Sequence, residues 1–196
     1  MGLGLLLVAA IASACGGSSS SSSSASSTTS GAPNGQLLAQ LGDGLSGDPV
    51  DGVACNTGEQ IAYHVHAHLA VYVNGQPRAI PYGIGIKQPV PEQTSAGPFV
   101  VQGDCFYWIH VHDLSGVIHI ESPTQRTYTL GQFFDVWGQP LSSTQVGPAS
   151  GPVTAFVNGA PYQGDPRSIP LTAHQVIQLD VGTAVPPQPY QFPRGL

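Results

Sequence analysis

Three observations predict a mainly β protein of the α+β class, a mixed sheet carrying one short helix. Residues 63–73 (YHVHAHLAVYV) and 107–121 (YWIHVHDLSGVIHIE) alternate polar and apolar side chains, the period of strands whose successive residues face opposite ways. Glycine (25) and proline (18) are abundant among the 196 residues, which favours short strands and many turns over long helices. Only the stretch at residues 129–138 carries the period of an amphipathic helix.

Residues 1–14 are predicted to be a signal segment. The apolar run over residues 3–11 is far shorter than the ~20 residues that span a bilayer. It ends in Ala12-Ser13-Ala14-Cys15, which resembles the lipobox of bacterial lipoproteins. That resemblance implies lipidation of Cys15 and a lipid membrane as partner. Residues 15–35 then form a Ser/Gly tether, too poor in apolar groups to fold, with a reach on the order of 25 Å. Residues 36–196 are expected to form one histidine-rich, mainly β domain. The chain is therefore read as exported to the cell envelope and anchored on its periplasmic or extracellular face. A net charge of −6 with only five Lys and Arg excludes nucleic acid as a partner, because that binding rests on cations.

Cys55 and Cys105 remain, each just ahead of a histidine strand. In an oxidising compartment they are expected to pair. The rival role, thiolate ligation of a metal, lacks the Cys-x-x-Cys spacing.

Residues 33–57 read as polar loop. The first strand covers residues 59–73 and ends at Asn74-Gly75, suited to a type I′ turn. Residues 77–81 are return chain and 82–86 (YGIGI) a short alternating piece. Residues 87–98, with Pro89, Pro91 and Pro98, read as loop, and 99–102 as a brief strand. Thr129 and Gln132 form a capping box, and Leu130, Phe133, Phe134 and Trp137 supply an apolar stripe that ends at Gly138. Strands follow at residues 153–157, turned by Asn158-Gly159, and at 176–181. The segments Val73–Pro77 and Val157–Pro161 share a Val-Asn-Gly-x-Pro turn. A proline-rich tail closes the chain. From residue 107 to 181 the order strand, strand, helix, strand, crossover, strand resembles the β-grasp fold, with residues 63–86 adding strands; a β-sandwich is the alternative.

The histidines carry the chemistry. On residues 63–73 the side chains of His64, His66 and His68 share one face, opposite Val65, Ala67, Leu69, Val71 and Val73. If residues 113–116 form the next hairpin's loop, His110 lies opposite His119, His112 opposite Val117 and Trp108 opposite Glu121. The candidate metal ligands are thus His64, His66, His68, His110, His112, His119 and Glu121. Asp113 is assigned to an Asx bond in the turn, and His174 to a surface turn. Imidazole with a carboxylate suits zinc or copper, with iron behind them; a soft Cu(I) site would need thioethers or free thiols.

HVHAHLAVYVNG together with HVHDLSGVIHIESPTQRTYTLGQFFDVWG resembles a group of exported bacterial and archaeal proteins of uncharacterised activity. The resemblance implies export and a single compact domain. The first functional expectation is a membrane-tethered metal-binding domain acting as carrier, buffer or sensor. The alternative is a metalloenzyme with a three-histidine site, with hydratase or hydrolase chemistry for zinc and redox chemistry for copper or iron. A third is an envelope interaction domain with a pH-responsive histidine cluster.

Overall fold

The computed structural model describes residues 1–3, 36–42 and 45–196. Cys15, the tether and most of the signal segment lie outside the described residues. No described helix is long and apolar enough to cross a membrane.

The main sheet has seven strands: β1 (Tyr63–Val73), β2 (Gln76–Arg78), β3 (Ile109–His110), β4 (Val117–Ser122), β5 (Val153–Val157), β6 (Ala160–Tyr162) and β7 (Gln175–Val181). Their order across the sheet is β6-β5-β7-β1-β4-β3, with β2 pairing the end of β1. β1 and β7 are parallel and central, and β4 and β5 flank them antiparallel. The helix α1 (Leu130–Trp137) falls between β4 and β5 in the chain. This is the β-grasp order, but its boundaries differ from the expectation. Residues 63–73 are the central strand of the grasp rather than an addition to it. Among the described residues the remaining sheets have two or three strands each, and no second sheet of comparable size forms a sandwich with the first.

The local signals act as their chemistry demands. Asn74-Gly75 and Asn158-Gly159 all adopt positive φ, as type I′ turns require, and close the β1–β2 and β5–β6 hairpins. Thr129 and Gln132 cap α1 reciprocally, and Gly138 ends it in the left-handed conformation. The apolar face of the sheet (Ala67, Leu69, Val71, Ile118, Ile120, Ile177 and Leu179) packs in one core with Leu130, Phe133, Phe134 and Trp137 of the helix. The opposite face carries the histidines on β1, β3 and β4, and Gln178 and Asp180 on β7.

Three assignments change. The first strand begins at Tyr63 rather than at residue 59. Residues 87–98 are not simply loop: Val90–Thr94 and Gly97–Gln102 form an antiparallel hairpin, their prolines tolerated because the pair stands outside the main sheet. The strand expected through residues 107–112 is interrupted at Trp108, leaving Cys105–Tyr107 in a small sheet and His112 in the connection after β3.

Cys55 and Cys105 form a disulfide with a Cα–Cα distance of 5.5 Å. It joins the strand Cys55–Asn56 to Cys105–Tyr107, just ahead of the two histidine segments.

Candidate metal centre

β1 and β4 pair so that His64 lies opposite Glu121, His66 opposite His119 and His68 opposite Val117. β3 and β4 place His110 opposite His119, the register read from the turn length. Three adjacent strands therefore put their imidazoles on one face. His112 joins them from outside a strand. Its backbone carbonyl accepts from Val100 N–H at 2.9 Å, and its ring Nδ1 donates to Val100 O. The Phe99 ring stacks on His112 with centroids 5.0 Å apart, and Phe106 meets His110 edge-on.

Two groups of converging donors result. His110, His112, His119 and Glu121 form an inner group, and His64, His66 and His119 an outer one; within each, the donor atoms lie within 4.8 Å of one another. The contact distances are telling. His110 Nε2 and His112 Nε2 stand 3.1 Å apart, and His110 Nε2 lies 3.9 Å from Glu121 Oε2. His64 Nε2 is 2.9 Å from His66 Nε2 and 3.0 Å from Glu121 Oε1, which is 3.3 Å from His119 Nδ1. Donors 2.0–2.1 Å from a tetrahedral ion stand about 3.3–3.4 Å apart. The observed spacings bracket that value.

The protonation pattern of the inner group bears on what it could hold. His110 Nδ1 lies 2.8 Å from Tyr107 O and His112 Nδ1 lies against Val100 O. A carbonyl oxygen only accepts, so both Nδ1 atoms carry the proton. In the neutral rings both Nε2 atoms then present lone pairs, and these face each other across 3.1 Å. Nothing on either ring donates into that contact. Glu121 Oε2 adds a buried carboxylate oxygen without a hydrogen-bond partner among the described residues. A cation at this point satisfies all three atoms. Anchoring a ligand histidine through its other nitrogen to a backbone carbonyl is how such rings are usually held.

Burial keeps three of the rings, His66, His110 and His119, neutral. It pushes His110 down to about 3, helped by the adjacent His112 and His119 rings. His119 falls to about 2, from burial and then from His112, His66 and His64. His66 falls to about 4, from burial and the neighbouring His64. Neutral imidazole is the metal-binding form.

The sequence-derived ligands do not all meet. His68 shares the β1 face but belongs to neither group. Its Nε2 donates to Ser115 O at 3.0 Å, its ring stacks on Tyr190 of the tail, and its buried Nδ1 has no partner. His174 bonds Leu196 O and stays apart, as expected. Asp113 is held in the turn by Ser115, accepting from its N–H at 2.9 Å. Tyr107 and Trp108 turn to Asp48 O and Asn56 Oδ1 and are packing residues.

Glu59 is the residue sequence reasoning missed. Its Oε1 lies 3.4 Å from His112 Nε2. Burial and the nearby Glu121 carboxylate raise its pKa, against the pull of His112 and His64. The signal available was only its place five residues ahead of His64. Protein-family models, curated proteins and solved structures give no match to this chain.

Proposed function

We propose that the protein is a membrane-tethered, extracytoplasmic metal-binding domain. His110, His112, His119 and Glu121 hold one divalent ion, zinc or copper, and the domain acts as a buffer, carrier or sensor for it. The observation that carries this reading is the opposed pair of Nε2 lone pairs on His110 and His112 beside the unpartnered Glu121 oxygen. Nitrogen and carboxylate donors suit Zn(II) or Cu(II), with iron behind. The cysteines that would favour a softer ion are paired in the disulfide. That disulfide is compatible with export, and Cys15 supplies the proposed lipid anchor. His110 is fully buried and Glu121 nearly so, which favours an ion held long over one passed on quickly.

The test is elemental analysis of a Cys15→Ser protein exported through an oxidising compartment. The expected result is a stoichiometric ion that survives gel filtration, and at least a 100-fold weaker affinity in His110→Ala/His112→Ala. Absence of any bound ion after reloading with zinc and copper would remove the reading. A pH-responsive cluster would then remain.

One observation favours the enzyme as a second reading. Glu59 stands half-exposed beside His112, with a carboxyl that burial makes more basic. An ion with an open position and Glu59 as proton acceptor would support hydrolytic chemistry for zinc. Cobalt-substituted protein distinguishes the two: azide shifts its visible spectrum if a position is open and leaves it unchanged if four protein ligands close the site.

A further inference from the structure

We infer that the histidine face holds two ions, an inner one and an outer one, with Glu121 bridging them. The inference rests on the metal-binding reading above and extends it to a second position with different access.

The outer group comprises His64, His66 and the shared His119. His64 and His66 bring their Nε2 atoms to 2.9 Å, with ring centroids 4.5 Å apart. His119 meets His66 edge-on, with centroids 4.4 Å apart. The two Glu121 oxygens part company between the groups. Oε1 faces outward, 3.0 Å from His64 Nε2, while Oε2 faces His110 Nε2 and has no hydrogen-bond partner among the described residues. A carboxylate with one oxygen turned to each of two donor groups is the arrangement that bridges ions about 3.5–4 Å apart. His119 is common to both groups, but one ring nitrogen binds one ion, so it completes the inner position and leaves His64, His66 and Glu121 Oε1 for the outer one.

The two positions differ in access. The inner group has His110 at 0% exposure and His112 at 6%. In the outer group the His64 side chain is 37% exposed. The outer ion therefore exchanges with the medium, while the inner one is retained. The ligand class is the same for both: a divalent ion that takes imidazole and carboxylate.

The test strips the Cys15→Ser protein with a strong chelator and titrates it with zinc chloride, reading bound zinc per chain. His64→Ala, at the exposed end of β1, is run alongside with far-UV circular dichroism to confirm the fold. Two ions per chain in the parent and one in His64→Ala support the inference. So does the order of removal, with a weak chelator taking one ion and leaving the other. Loading with copper gives an independent readout. Two bridged Cu(II) ions broaden or silence each other's paramagnetic resonance signal, and His64→Ala restores that of an isolated ion. One ion in both proteins overturns the second position and leaves the inner site standing. Two ions in both, with no magnetic coupling, also overturn it, since the second would then be adventitious. No ion in either overturns this inference and the proposed function together.

Discussion

His110 and His112 each commit one ring nitrogen to a backbone carbonyl, so the identity of the other nitrogen is fixed before any ligand arrives. His110 and His119 titrate far below the ordinary histidine value of about 6.5, chiefly through burial. The unfolded chain therefore binds more protons than the folded one between about pH 6.5 and pH 3, and folding stability falls as pH falls through that window. The slope is up to about 1.4 kcal/mol per pH unit for each buried ring, less where the rings compete. Metal-free protein should show a thermal midpoint that drops steadily below pH 6.5. A midpoint unchanged between pH 7 and pH 4.5 would contradict the neutral, buried rings. Of the residues involved, His64, His66, His110, His112, His119 and Glu121 were legible from alternation alone. Glu59 was not, because no periodicity ties residue 59 to residue 112. The Val100 carbonyl and the Phe99 ring were hidden for the same reason.

At the scale of the element, the turn at residues 113–116 sets the β4 register. Gly116 has φ of 80°, and its carbonyl accepts from Leu69 N–H at 2.9 Å, tying the turn to β1. A Cβ at this position would run into the Leu69 carbonyl oxygen and crowd the His68 ring. Gly116→Ala should destabilise the protein by about 1–3 kcal/mol, read from urea unfolding. The replacement disturbs the anchor between β1 and β4 and should weaken metal binding as well. Strand identity here was legible in the sequence because each strand buries one face, and a one-residue slip would have turned His119 and Glu121 into the core. Of the hairpin over residues 90–102, the strand at 99–102 was legible and its partner at 90–94 was not. It buries little of itself, so no strong alternation marks it, and its prolines argue for loop until one sees that they lie at an edge. His68 shows the limit of alternation: it obeys the period, yet lies opposite Val117, one pair beyond the ring cluster, and is covered by Tyr190.

Across the whole molecule, the disulfide closes a loop of fifty residues that contains β1. On the chain-entropy account this limits the unfolded state by about 4 kcal/mol, and Cys55→Ser/Cys105→Ser should lose about 2–4 kcal/mol of stability in denaturant. The paired variant should still bind metal at low temperature, since the disulfide supports the histidine segments without contributing a donor. The sequence by itself determined the class of the fold, both type I′ turns, the capped helix, the disulfide and the sorting of histidines onto one face of the strands. Each of these depends on neighbours a few residues apart, on strict alternation, or, for the disulfide, on two lone cysteines in a chain read as exported. Only the tertiary structure decided that β1 is central, that it lies directly beside β4, and that Glu121 ends up between two groups of rings. Those outcomes follow from the parallel pairing of β1 with β7 and from β4 packing on its other side. The contacts responsible join residues fifty to more than a hundred positions apart, and no local pattern encodes which distant strands will share an edge.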